Sequence, residues 1–157
     1  MATFGQLSST GRSYNLGMAG KSDQLSHSTD KAGRSELHYA VADRNLARVE
    51  ELVRQGTSVN LADRNGWTPL HFAAQISDAK IARFLLHSGS SVDPRDGNGN
   101  TPLSTAVFNS RGRGELIQLL RQHGADATSK NKSGVSPVSR ARSIANYDVA
   151  RFFDDIE

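Results

Sequence analysis

Cysteine is absent from all 157 residues, which excludes a disulfide framework, a thiolate nucleophile and a thiolate zinc site. The absence suits a reducing compartment, and the cytoplasm is the expected location. No run approaches the roughly 20 apolar residues that cross a bilayer. Residues 1–20 lack the continuous apolar core of a secretory signal. Neither sign of charge dominates: 19 basic and 16 acidic residues are interleaved, for a net charge of +3. A nucleic-acid surface needs its charge gathered on one face, so the basic isoelectric point near 9.5 does not by itself assign one. Aromatic side chains are scarce, with a single tryptophan, so the position of that residue is informative.

Chemical motifs are also missing. There is no Gly-x-Ser-x-Gly elbow and no Walker loop. The segment from Asp96 begins like a calcium loop, with Asp96, Asn98 and Asn100 at alternate positions. The sixth position is Thr101 instead of glycine and the twelfth is Val107 instead of glutamate, so the match fails. Gly114 and Glu115, with Arg111 and Arg113 nearby, have no partner nucleophile. No catalytic residue, cofactor or metal is therefore expected.

What is present is a repeat. Gly33, Gly66, Gly99 and Gly134 stand 33, 33 and 35 residues apart. Gly56, Gly89 and Gly124 follow the first three by 23, 23 and 25 residues. The two extra residues of the third unit fall in Asn109-Ser-Arg-Gly-Arg-Gly114 and leave the frame intact. After the lead glycines come Thr68-Pro-Leu-His-Phe-Ala73 and Thr101-Pro-Leu-Ser-Thr-Ala106, with looser copies at Ser35 and Ser136. Pro69, Pro102 and Pro137 suit a first helical turn, where a missing N–H costs nothing. Ser35, Thr68, Thr101 and Ser136 are placed to cap those helices. A second helix is expected in each unit. Its apolar face is Leu46, Val49 and Val53, then Ile81, Phe84 and Leu85, then Leu116, Leu119 and Leu120, and finally Val149, Phe152 and Phe153. Gly56, Gly89 and Gly124 lie where such helices end in left-handed caps.

The chain thus resembles the ankyrin-repeat family, whose period is about 33 residues and whose mark is T-P-L-H-x-A. The expected fold is an all-α repeat solenoid of four stacked helix-turn-helix repeats with protruding hairpin loops. The repeats would span about residues 30–62, 63–95, 96–130 and 131–157, within a domain of residues 29–157. Residues 1–28 are polar and rich in Ser and Gly, a composition that reads as a mobile segment. The alternative is that Tyr14, Leu16 and Leu25 cap the open end of the first unit. Arg142 and Asp154 give the last unit the polar outer face of a terminal repeat.

His38 and His71 share one slot in successive units. The resemblance implies that this histidine hydrogen-bonds the hairpin and tethers the neighbouring unit, so a metal or general-base role is not inferred. His87 and His123 fall at the ends of second helices, where positive charge suits the dipole.

The residue after each lead glycine, Arg34, Trp67, Asn100 or Val135, falls on the hairpin, and the resemblance places it on the concave binding side. Trp67 is not required by the frame, and an exposed tryptophan beside arginine is the composition of a hot spot. The rival reading packs it on the next hairpin. Asp43, Gln75, Ile76, Phe108 and Asn109 end the first helices on the same side. Arg44, Arg64, Lys31 and Lys132 would rim the patch, and Arg111 and Arg113 either sit in solvent or meet an acidic patch. The candidate partner-binding set is Arg34, Asp43, Arg64, Trp67, Gln75, Ile76, Asn100, Phe108, Arg111 and Arg113.

The expected function is non-catalytic recognition of another protein by a chain that is monomeric when free. Val107-Phe-Asn-Ser-Arg-Gly-Arg-Gly114 and residues 144–153 resemble short bacterial ankyrin proteins, some of which are immunity proteins that block a toxin enzyme. By that resemblance the partner would be a toxin or enzyme with an acidic patch. The rival classes are a nucleic-acid-associated factor using the basic rim and, last, an enzyme.

Overall fold

In the computed structural model, residues 28–157 are described; the polar segment expected to be mobile lies outside them apart from Ser28. Their helices are α1 (Glu36–Ala42), α2 (Leu46–Arg54), α3 (Pro69–Gln75), α4 (Ala79–His87), α5 (Pro102–Asn109), α6 (Glu115–Gln122) and α7 (Pro137–Ser143), followed by a 3₁₀ turn, Ala150–Phe153. There is no strand among the described residues. Each first helix packs on the next, α1 on α3, α3 on α5 and α5 on α7, while α2, α4 and α6 form a second layer. The protein is an all-α solenoid.

The helix starts follow from local chemistry. Pro69, Pro102 and Pro137 occupy the first turns of α3, α5 and α7. The Thr101 hydroxyl accepts from the Ser104 amide, and Ser136 and Ser139 bond each other's amides reciprocally. Asn45 and Asp78 cap α2 and α4 by accepting from the Arg48 and Ile81 amides. Gly56, Gly89 and Gly124 hold φ of 91°, 93° and 87°, so each second helix ends in the left-handed conformation.

The core lies between the layers. Leu37, Val41, Val49, Leu70, Ile81, Leu85, Leu103, Ile117 and Leu120 are completely buried. Within the second-helix stripes, Val49, Ile81, Leu85 and Leu120 are sealed, and Leu46, Val53 and Phe84 lie half-buried at the margin. The loop between α5 and α6 has five residues where the equivalent loops have three, so the insertion is absorbed there.

The last unit departs from four full helix pairs. Val149 and Phe153 are buried as its stripe requires, but the backbone makes one 3₁₀ turn instead of an α-helix. The segment is bound from outside: Arg121 on α6 donates to the Phe152 carbonyl and pairs with Asp155. The Phe152 ring lies against Gly114, where a Cβ would stand 2.1 Å from it. Arg142 and Asp154 are exposed.

The hairpins set the stacking distance. An added Cβ on Gly66 would meet Asp96 Cα at 2.9 Å and the Gly97 nitrogen at 3.0 Å, both backbone of the next hairpin. Around Gly89 nothing lies within 4 Å. Gly89→Ala should therefore cost only its left-handed strain, about 1–2 kcal/mol. Gly66→Ala should cost clearly more, because neighbouring backbone must also move. Urea unfolding of the two variants checks the order, and equal losses would contradict it.

Candidate partner-binding groove

Each hairpin is built around one side-chain oxygen. Asp30 Oδ1 accepts from the Ala32 and Arg34 amides, and Asp63 Oδ1 from those of Asn65 and Trp67. Asp96 Oδ1 does the same for Asn98 and Asn100, and Asn131 Oδ1 for Ser133 and Val135. The Gly/Asn-rich stretch that imitates a calcium loop is thus a turn in which one carboxylate oxygen of Asp96 is taken up by its own backbone. One backbone bond then joins each hairpin to the next: Arg64 to the Ala32 carbonyl at 2.8 Å, Gly97 to Asn65 at 2.7 Å and Lys132 to Asn98 at 3.0 Å.

Two histidines fasten the hairpins to the helices. His38 Nε2 donates to the Trp67 carbonyl at 3.1 Å, and His71 Nε2 to the Asn100 carbonyl, also at 3.1 Å. Each Nδ1 accepts an amide of its own helix N-terminus, from Ser35 at 3.0 Å and Thr68 at 3.2 Å. A carbonyl can only accept, so the neutral Nε2–H tautomer satisfies both ring nitrogens. Burial pushes both imidazoles below their ordinary value, against the weaker upward pull of the carbonyl bonds.

This frame shapes two adjoining cavities. One, of about 320 Å³, is bordered by Trp67, Gln75, Asp96, Asn100, Phe108 and Arg140 among others. The second, of about 500 Å³, is bordered by Arg34, Asp63, Arg64, Trp67, Phe72 and Gln75 among others. Trp67, Gln75 and Asn98 border both, so the cavities form one groove running past the hairpins and the ends of the first helices.

Six of the ten expected positions line the groove: Arg34, Arg64, Trp67, Gln75, Asn100 and Phe108. Asp43, Ile76, Arg111 and Arg113 do not. Asp43 is an exposed helix end, and Ile76 is half-buried, with its carbonyl accepting from Arg44. Arg111 and Arg113 are exposed in the inserted loop. Within the groove the roles differ. Arg34 is already engaged, donating to Asp63 at 3.2 Å with its guanidinium 5.2 Å from the Phe72 ring centre. The Asn100 amide oxygen accepts from Asn131 at 2.9 Å.

Trp67 is half-buried rather than freely exposed. Its ring stacks on His71, with centroids 5.7 Å apart, and meets the Phe72 ring edge-on at 5.5 Å. Packing and groove-lining therefore coincide in one side chain. Phe108 is 69% exposed and stays outside the core. Arg140, which the repeat pattern did not single out, lies over the Phe108 ring at 5.7 Å. Only its place on the first helix of a loosely matching unit hinted at it. Asp96 also lines the groove although its hairpin role was the legible one. Elsewhere the His87 and His123 rings approach to 5.7 Å, but no set of three metal-ligating side chains occurs among the described residues.

A family model of ankyrin repeats, in three copies, matches residues 37–131. The chain belongs to the ankyrin-repeat family. The match runs from the second residue of α1 through the third helix pair and stops before α7. Ankyrin repeats generally mediate protein–protein interaction. No curated protein matches the chain. No helix among the described residues is long and apolar enough to cross a membrane.

The buried histidines give these ankyrin repeats a pH dependence of known sign. Above the ordinary value of 6.5 both imidazoles are neutral in folded and unfolded chains, and their stabilisation is complete. As pH falls below 6.5, the unfolded chain binds protons that the folded chain refuses, so stability is lost until pH passes the lowered folded values. The slope is at most about 1.4 kcal/mol per pH unit for each histidine. His71→Ser, which copies Ser104 of the next unit, should remove up to one such increment. Urea midpoints between pH 7.5 and 5 measure this, and an unchanged slope would rule it out.

Proposed function

We propose that the chain is a non-catalytic ankyrin module that recognises one partner protein through the groove bounded by the hairpins and first helices. The observation that carries this reading is Phe108, a large apolar ring left 69% exposed beside Trp67 on a surface braced by hairpin-to-hairpin bonds. An isolated apolar side chain on a surface needs no explanation, but here two aromatic rings border one cavity. A braced face loses little freedom when it binds, so more of the contact energy appears as affinity.

The narrower form of the reading is a cytoplasmic immunity-type inhibitor of a toxin enzyme, with the chain monomeric before it binds. Its support is the resemblance of residues 107–114 and 144–153 to short bacterial ankyrin proteins and the absence of cysteine. An adjacent toxin-like reading frame, and rescue of growth on co-expression, would bear it out. Failure of rescue together with no complex on a sizing column would end that form and leave the broader one standing.

The broader reading has its own test. Affinity capture from the native host should yield a partner that reassembles with the purified chain. Phe108→Ala should then weaken the complex by about 2 kcal/mol while leaving thermal unfolding unchanged. Trp67→Ala should weaken it comparably but also lower stability, because its ring packs on His71 and Phe72. Affinity indifferent to both substitutions would place binding elsewhere.

A further inference from the structure

Four arginines among the described residues are half-buried: Arg34, Arg48, Arg121 and Arg140. Arg34 pairs with Asp63, Arg48 with Glu36 and Glu51, and Arg121 with Asp155. Arg140 has no acceptor, and its Nε is buried without a hydrogen-bond partner. A guanidinium drawn partly out of water with one buried donor unmet carries a cost, and an acceptor on its remaining N–H groups would offset part of it. Phe108 lies under it, so the charge is held beside an exposed apolar ring at one end of the groove.

The repeat itself identifies a second group, one that lacks the partner its counterpart has. Asp63 uses one oxygen for hairpin amides and the other for Arg34 Nε. One period later Asp96 repeats the first arrangement, but the position equivalent to Arg34 holds Trp67. Asp96 therefore lacks the guanidinium that its counterpart has. The groove thus presents an unpaired cation on α7 and an under-used carboxylate on the hairpin, with apolar rings beside them.

We propose that the occupant is an internal, extended segment of the partner with an Asp or Glu side chain for Arg140. A neighbouring apolar residue would lie against Phe108, and a hydrogen-bond donor would reach Asp96. This rests on the partner-binding reading above and specifies its chemistry. Guanidinium and carboxylate match in planar, two-pronged geometry, which gives the pair direction as well as attraction. Asp96 sets polarity: a uniformly acidic segment would bring like charges together, whereas one with a donor and an acid fits in a single direction. The groove continues past Trp67 and Gln75 towards Arg34 and Arg64, which suits a chain passing through instead of a chain end.

The test pans a phage-displayed library of random peptides against the full chain, with Phe108→Ala as the counter-screen for groove binding. Selected peptides should carry Asp or Glu next to an aromatic or aliphatic residue. Replacing that acid by its amide should weaken binding about tenfold or more. Arg140→Gln should weaken the original peptide equally, and the two changes together should cost little more than either alone. Arg64→Gln, on the exposed rim, should leave that coupling intact. If Arg140→Gln disturbs thermal unfolding, Arg140→Lys, which keeps the charge and removes the planar fork, replaces it. Groove-binding peptides without an acid preference, or with affinity indifferent to Arg140, would overturn the carboxylate site and leave partner binding intact. A library that yields no groove binder, with no partner captured from the host, would remove both.

Discussion

A tight turn leaves backbone N–H groups that neither helix can satisfy, and each hairpin here answers that constraint with one side-chain oxygen taking two of them. Asp30, Asp63, Asp96 and Asn131 do this at the same point of four successive units. With the turn closed, its neighbouring backbone is free to bond the next turn, and a single N–H per junction carries the register down the stack. The histidines add a cross-brace. His38 and His71 each reach from one helix start to the following hairpin, so helix spacing and hairpin spacing cannot vary separately. Each imidazole must stay neutral to serve, which makes the brace sensitive to acid.

The same geometry determines which side chains remain available for recognition. The position after each lead glycine leans towards the next unit, and its chemistry decides whether it is used up there. Arginine at 34 finds Asp63 and closes the junction, and asparagine at 100 finds Asn131. Tryptophan at 67 can donate only through its indole N–H, so it packs on His71 and Phe72 and leaves Asp96 without a guanidinium. Trp67 at this position of the repeat thus gives the groove an aromatic wall.

Much of this was legible because a period of 33 residues repeats the local rules of capping, proline placement and glycine conformation in every unit. The helices and the insertion in the third unit follow from those rules, and the histidine brace is what the ankyrin resemblance implied. The 3₁₀ turn did not: Val149 and Phe153 are buried as the apolar pattern requires, but the pattern does not encode the contacts of Arg121 on α6 that hold this segment from outside. Arg34 and Arg140 show a similar limit for the groove. Both are arginines that border the groove, yet one is engaged and the other is not. Arg34 meets Asp63, 29 positions away, whereas no acceptor faces Arg140 Nε, and no local pattern encodes that difference.

The turns between paired helices carry the opposite of what backbone preference favours. Arg44, Ser77 and Arg111 hold φ of 57°, 54° and 50°, in the left-handed region, although glycine would sit there without strain. The cost is about 1–2 kcal/mol at each position. Arg44 recovers part of it by donating to the Ile76 carbonyl, and Ser77 by donating to that of Asn109. Both carbonyls belong to the end of the next unit's first helix, where acceptors lack intrahelical donors. A hydrogen bond to such a group contributes about 1 kcal/mol, more when the donor is charged. Glycine would remove the strain and the bond together. The two effects are close in size, so the retained side chains give little net stability but tie each first helix to the turn before it, on the side where the groove is built.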